Sequence, residues 1–267
     1  IKGTPDSQIS WNCPADGEYL LSVSDQLQRG GPDFTYRVEI AAKAPALTVS
    51  LPTVERNNSQ KWKTISVPRG SRYAAVFNVA KENIACDVLF ETANLPPGMV
   101  MHRPQIPKAL TSFPVIFEAA PDAPVGGTFA TFNIRSTGEN IPAVSAPLID
   151  TIAHIEVNNQ GTYHGVSLDK VPAAVVNEAP FTLGLQTPSV PIVRDGILAL
   201  KVVATRNPDY KEPISVRFLW SPPGITAPVT VDIPGDKSEI AYEINANAEA
   251  ATGDWPVCVL AEAKTPK

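Results

Sequence analysis

Apolar residues recur at every second position along most of this chain, in short stretches. Val88 and Phe90, Val115, Phe117 and Ala119, Ile214, Val216 and Phe218, and Ile240, Tyr242 and Ile244 each line one side of an extended segment. A period of two sends successive side chains to opposite faces, so each stretch predicts a strand with one face buried and one wet. Strands of this kind, separated by Pro/Gly/Asn-rich turns, predict β-sandwiches. The 27 prolines point the same way, because proline lacks a backbone donor and clashes inside a helix. The predicted class is all-β, a tandem of β-sandwiches.

The pattern repeats. Val67-Pro68-Arg69-Gly70 and Val193-Arg194-Asp195-Gly196 stand 126 positions apart (193 − 67). The same offset relates Val76 to Val202, Pro96-Pro97-Gly98 to Pro222-Pro223-Gly224, and Gly127 before Phe129 to Gly253 before Trp255. Val115, Phe117 and Ala119 align with Ile240, Tyr242 and Ile244 at 125, and Leu47–Leu51 with Phe181–Leu185 at 134. The first copy therefore carries extra residues, placed in the polar surface loop Glu55–Lys61. Pro-Pro-Gly predicts a corner, since proline ends a strand and glycine accepts positive φ. The Gly127 and Gly253 positions are read as turns entering core strands.

Residues 44–158 and 159–267 are thus expected to form two immunoglobulin-like sandwiches, linked through about 158–172. In the first, a strand near 149–157 is expected to close the sandwich. Its counterpart would fall at 275–283, past Lys267, so the second sandwich is expected to lack its last strand unless Val171–Val176 takes that place.

Residues 1–43 stand outside the repeat. Asp16-Gly17-Glu18-Tyr19 leads into a predicted strand with Tyr19, Leu21 and Val23 on one face, and Phe34, Tyr36, Val38 and Ile40 alternate in a second, with Gly30-Gly31 between them. This Asp-Gly-x-Tyr strand, glycine-rich connection and closing aromatic strand resembles the C-terminal half of the bacterial pre-peptidase C-terminal domain. It looks most like versions in large secreted proteins of planctomycete-type bacteria. The resemblance implies a partial jelly-roll-like sandwich at 1–43, followed by immunoglobulin-like repeats, in a secreted setting where such modules accompany catalytic parts without being them.

Composition narrows the function. Hydrophobic residues at 43% against 18% charged ones supply packed cores, and 267 residues make two or three domains. A net charge of −5 argues against nucleic acid, which needs a basic face. No apolar run reaches the ~20 residues that cross a bilayer. Ile1-Lys2-Gly3-Thr4-Pro5 is neither a signal peptide nor a translation start, so the chain is expected to be part of something longer.

Candidate chemistry is sparse. Cys13, Cys86 and Cys258 lack metal or redox spacing and are expected as three free, mostly buried thiols. His102, His154 and His164 form no HExxH motif, and no GxSxG elbow is present. His154 is read as a solvated strand residue, His164 as packing in the linker. Asp25 and Asp33, with carbonyls around Gly30-Gly31, are the candidate calcium ligands, set against a reading as turn formers. Trp11, Trp220 and Trp255 are expected to be partly buried structure, and Trp62, beside the polar loop, is the candidate contact residue. The expected role is a non-catalytic spacer or interaction region of a larger extracellular, periplasmic or cell-surface bacterial protein. Its expected partners are other domains of that protein, a surface protein or a polysaccharide. A carbohydrate- or protein-binding module, calcium-assisted, is the alternative; a hydrolase would need His154 or His164 to meet an acid and a nucleophile.

Overall fold

The computed structural model of the chain describes residues 9–25, 27–52, 64–102, 105–157 and 161–263, without the side chains of 152–157, 161–164 and 263. All regular structure among them is β, as predicted. The chain divides into two units, one ending at Ala42 and one beginning at Lys43.

In the first unit the two predicted strands do not form: no ladder links 19–24 to 34–40 among the described residues. Alternation makes a segment able to join a sheet, but a lone pair of strands is marginal without a third or a packed face. Local contacts hold instead, with Trp11 and Tyr19 edge to face at 4.6 Å and the Arg29 guanidinium over the Phe34 ring at 5.9 Å.

The second unit begins with β1 (Ala46–Ser50), β2 (Ile65–Pro68), β3 (Arg72–Glu82), β4 (Asp87–Ala93), β5 (Met99–His102), β6 (Gln105–Ile106), β7 (Ser112–Ala119) and β8 (Gly126–Thr137). Next come β9 (Ser145–Pro147), β10 (Asp150–Val157), β11 (Gly161–Leu168) and β12 (Val171–Val176). One sheet runs β1-β3-β7-β5, and the facing sheet runs β2-β12-β8-β4-β6 with β9 also against β8. Phe77, Phe90, Phe113, Phe117 and Phe132 interlock between them, with ring centroids 4.7 to 6.0 Å apart.

The closing strand differs from the expected one. The 149–157 segment is β10, which pairs with β11 in a separate hairpin, while β12 lies antiparallel to β8 and parallel to β2. Residues 161–172 are therefore not a plain linker. The boundary expected after residue 158 falls inside the hairpin, and the first sandwich runs on to Val176. Burial explains the choice: Val171, Ala173 and Val175 face the core at every second position.

The second sandwich contains β13 (Phe181–Leu185), β14 (Ile197–Arg206), β15 (Ile214–Trp220), β16 (Ile225–Thr226), β17 (Thr230–Ile233), β18 (Glu239–Ala246) and β19 (Cys258–Ala263). Its sheets run β13-β14-β18-β16 and β17-β15-β19. The four-stranded sheets of the two copies match in order, and both copies have the two-sheet immunoglobulin-like arrangement. Among the described residues β19 pairs with β15.

Hydrogen bonds correct the repeat register. Val49 opposite Val79 corresponds to Leu183 opposite Ala204, an offset of 125 (204 − 79) on this strand. Val76 therefore does not match Val202; it points to the outer face, and Phe77 occupies the core place of Val202. The offset is 126 at the corner and 127 on β7 and β18, where Phe77 opposite Phe113 corresponds to Val202 opposite Ile240 (240 − 113). The 125 alignment of Val115 with Ile240 kept the face but slipped by two residues. Gly127 lies inside β8, and Gly253, at φ 135°, lies in the bend before β19, so the two are not equivalent turns.

Register also exposes a shared device that the sequence pattern had not shown. Lys81 Nζ donates to the carbonyls of Pro107, Lys108 and Leu110 at 2.9 to 3.2 Å. Its counterpart Arg206 donates to Glu212, Ile233, Pro234 and Lys237 at 2.6 to 3.3 Å. Pro107 and Pro234 are equivalent at 127, so each copy ties the loop before β7 or β18 with one cation. Partial burial lowers the Lys81 pKa.

The corners hold as predicted. Met99 N–H donates to Pro96 O and Ile225 N–H to Pro222 O, both at 3.0 Å, around Gly98 and Gly224 at φ 77° and 81°. A Cβ on Gly98 would stand 2.6 Å from that of Ala123, and one on Gly224 would strike Ala250. Gly98→Ala and Gly224→Ala should each lower the unfolding free energy by about 2 kcal/mol, from left-handed strain plus crowding. Urea unfolding checks this; an unchanged midpoint would mean that the corner is slack.

Candidate functional site

Each candidate from the sequence has a definite place. Asp25 Oδ1 accepts from the Leu27 N–H at 2.7 Å, and its Oδ2 accepts from Arg29 Nε and Nη2 at 3.1 and 2.8 Å. This is a side-chain-capped turn, and the Arg29 guanidinium holds the Asp25 carboxyl below its usual pKa. Asp33 is exposed on the same segment. No group of three or more His, Cys, Asp and Glu side chains converges among the described residues. Trp62 and the Glu55–Lys61 loop lie outside the described residues.

Hairpin register places His164 opposite Ile155, with a shift between Ala153 and Ile155 at His154, so the two histidines fall at neighbouring positions of β10 and β11. His164 is thus a strand residue. Their side chains lie outside the described atoms. His102 belongs to a different group: Glu118 accepts from Arg72 Nε at 2.8 Å and contacts His102 Nε2 at 2.9 Å, on the outer face of β3, β7 and β5. His102 first and Arg72 second lower the Glu118 pKa. The cluster is exposed, so it adds little to stability.

Trp11 is exposed and off any strand, contrary to expectation. Phe129 is also not a core aromatic. The inward residues of β8 are Ala130, Phe132 and Ile134; Phe129 stands on the outer face, 65% exposed, opposite Pro172. Lys201 and Glu239 pair at 2.7 Å across an open depression of about 240 Å³ on the β14 and β18 surface.

The most developed surface is the junction. In the first sandwich Ala75, Phe77 and Val79 point inward, so Ala74 and Val76 must point out, as do Ser112 and Pro114 of β7. Ala74 and Pro114 are nevertheless buried. The second sandwich covers them, with β15 against β3 and β7, and β19 against β3. From its side Trp220, Cys258 and Leu260 face out of their own core and are buried too. Trp220, 7% exposed, packs with the first sandwich's core, and its Nε1–H donates to Ser112 Oγ at 3.1 Å. Trp255, half-buried, flanks it at 6.4 Å and anchors its own Nε1–H on Ala251 O. Burial raises the Tyr73 pKa, with Arg217 and Glu262 of the second sandwich close enough to act on it. Burial likewise pushes the Cys258 thiol up to about 11.

No sequence feature singled out this face, because period-two alternation marks an outer face as wet. The signal was available in Ala74, Val76 and Pro114, which leave the outer side of two neighbouring strands apolar.

These observations define the class: residues 43–267 are two immunoglobulin-like β-sandwiches joined through a buried sheet face. No helix among the described residues is long and apolar enough to cross a membrane. No family model and no curated protein matches the sequence. Among solved structures, a protein of unknown function from Porphyromonas gingivalis W83 is 11% identical, with 76% of this chain and 83% of that chain covered and a TM-score of 0.22. The titin domains z1z2 in complex with telethonin are 11% identical, with coverages of 84% and 96% and a TM-score of 0.21. A further titin tandem is 7% identical, with the same coverages and a TM-score of 0.17. Likeness at this level leaves the class to rest on the strands themselves.

The three cysteines are unpaired, with Cys13 exposed and Cys86 and Cys258 buried. A thiol reagent at pH 8 should titrate one group in the native protein and three in denaturant. Two fast native thiols would mean that the junction opens. Burial also raises the pKa of Tyr73, Tyr210 and Tyr242. A raised folded-state pKa contributes stability that is complete below the unfolded value, about 10, and is lost as pH rises through the folded one. Unfolding free energy should therefore fall above pH 10, less steeply in Tyr73→Phe; an identical pH profile in that variant would contradict the assignment.

Proposed function

We propose that residues 43–267 serve as a non-catalytic spacer and interaction region within a larger secreted or cell-surface bacterial protein. The observation that carries this reading is the burial of Trp220 in the neighbouring sandwich. A junction of that kind makes two domains one arm that holds whatever adjoins it at a set orientation, whereas a linker alone would let them tumble. The resemblance of residues 1–43 to pre-peptidase C-terminal modules supports the secreted setting. A binding role for proteins or carbohydrates is favoured by one feature, the exposed Phe129 ring beside Pro172, since exposed aromatics supply contact area on a solvated sheet.

Incubation of the chain with panels of peptide, ester and glycoside substrates tests the non-catalytic part. No turnover above the uncatalysed rate is expected. Turnover that disappears in His154→Ala and His164→Ala would overturn the reading and make the hairpin an active site.

A further inference from the structure

The chain has three histidines, and two of them meet at one place in the β10–β11 hairpin. They are ten positions apart in sequence, so only the pairing of the two strands joins them. Ala153 stands opposite Gly165 before them and Glu156 opposite Thr162 after them, in one and the same register. Carried straight through, that register sets His154 opposite His164.

The ladder departs from it at this point alone. Ile155 pairs with His164, which leaves His154 as an extra residue on β10 and Tyr163 as an extra residue on β11. The two shifts cancel, and the strands leave the irregular stretch in the register in which they entered it. An extra residue of this kind re-aims the backbone and is a built feature of a strand pair rather than a fault in it. Here it is not imposed by a neighbouring strand, since β10 and β11 form a two-stranded sheet of their own, paired with neither sandwich. Gly165, Val166, Ser167 and Leu168 are exposed, so this arm of the hairpin stands in solvent.

We propose that the β10–β11 hairpin is a binding site for one divalent cation of the zinc and copper class, held by His154 and His164 with water completing the coordination. Residues opposite one another on antiparallel strands have Cβ atoms ~4.5–5.5 Å apart, a spacing from which two imidazoles can share one ion at ~2.0–2.1 Å per bond. Imidazole nitrogen selects zinc, copper and nickel; calcium and magnesium take oxygen ligands instead. The third histidine, His102, lies elsewhere, beside Glu118 on the first sandwich, and serves as an internal control. The site goes beyond the spacer reading, which needs no metal.

The test uses the whole chain with the exposed thiol removed as Cys13→Ser, and Zn2+ alone as the calorimetric probe at neutral pH. One ion should bind per chain, at least ~10-fold more weakly in His154→Ala and in His164→Ala, and equally well in His102→Ala. The electron paramagnetic resonance spectrum of one equivalent of Cu2+ should show coupling to two imidazole nitrogens. No Zn2+ binding below ~1 mM overturns the proposal, as does binding of the same strength in the His154 and His164 variants, which would place the ion elsewhere. The copper spectrum is read with both histidines in place, so a spectrum without nitrogen coupling also overturns it, whatever a substitution does to the hairpin. None of these failures touches the non-catalytic reading, because that reading is decided by turnover.

Discussion

The indole of Trp220 is buried in a domain other than its own, and the arrangement of residues 43–267 depends on that fact. Removing a buried tryptophan side chain costs on the order of 3–5 kcal/mol, several times the ~1 kcal/mol of its single hydrogen bond to Ser112. Apolar burial therefore supplies the strength of the junction, and the hydrogen bond fixes the angle at which the ring enters. Around it, a face that would be wet in a lone sandwich becomes dry. Ala74, Pro114, Cys258 and Leu260 are buried for this reason, and the Cys258 thiol is held protonated well above neutral pH.

Edges obey a different rule from faces. A strand's faces are satisfied by packing, which alternation encodes; its edges are satisfied by a neighbour's backbone, which alternation does not encode. Val171–Val176 could have served either sandwich by its pattern. It closes the first because β8 and β2 both offer it a ladder there. In the second sandwich the same position beside β19 has no described occupant, and the surrounding core is correspondingly half-exposed.

This distinction accounts for what could be read in the sequence. The strands built on Phe77, Phe90, Ile214 and Tyr242, and both Pro-Pro-Gly corners, follow from period and turn chemistry, which are local. Register does not: offsets of 125, 126 and 127 differ by single residues lost in loops, so a landmark such as Val76 was matched to a residue on the opposite face. Phe129 and Trp220 escaped for one reason, since an aromatic in a strand is assigned to its own core unless the covering partner is known. The strands expected in residues 19–40 failed through want of a sheet, although their alternation is as regular as any in the chain. Asp25 was legible as a turn former because an Asp four residues before an arginine can cap and bridge locally.

The central claim is that Trp220 fixes the two sandwiches in one orientation. Spin labels at Asp122→Cys and Asp209→Cys, both exposed sites, in a Cys13→Ser background would report the separation between the sandwiches by pulsed electron resonance. The account predicts a single narrow distance distribution that broadens when Trp220→Ala is added. A distribution equally broad with and without the indole would contradict it.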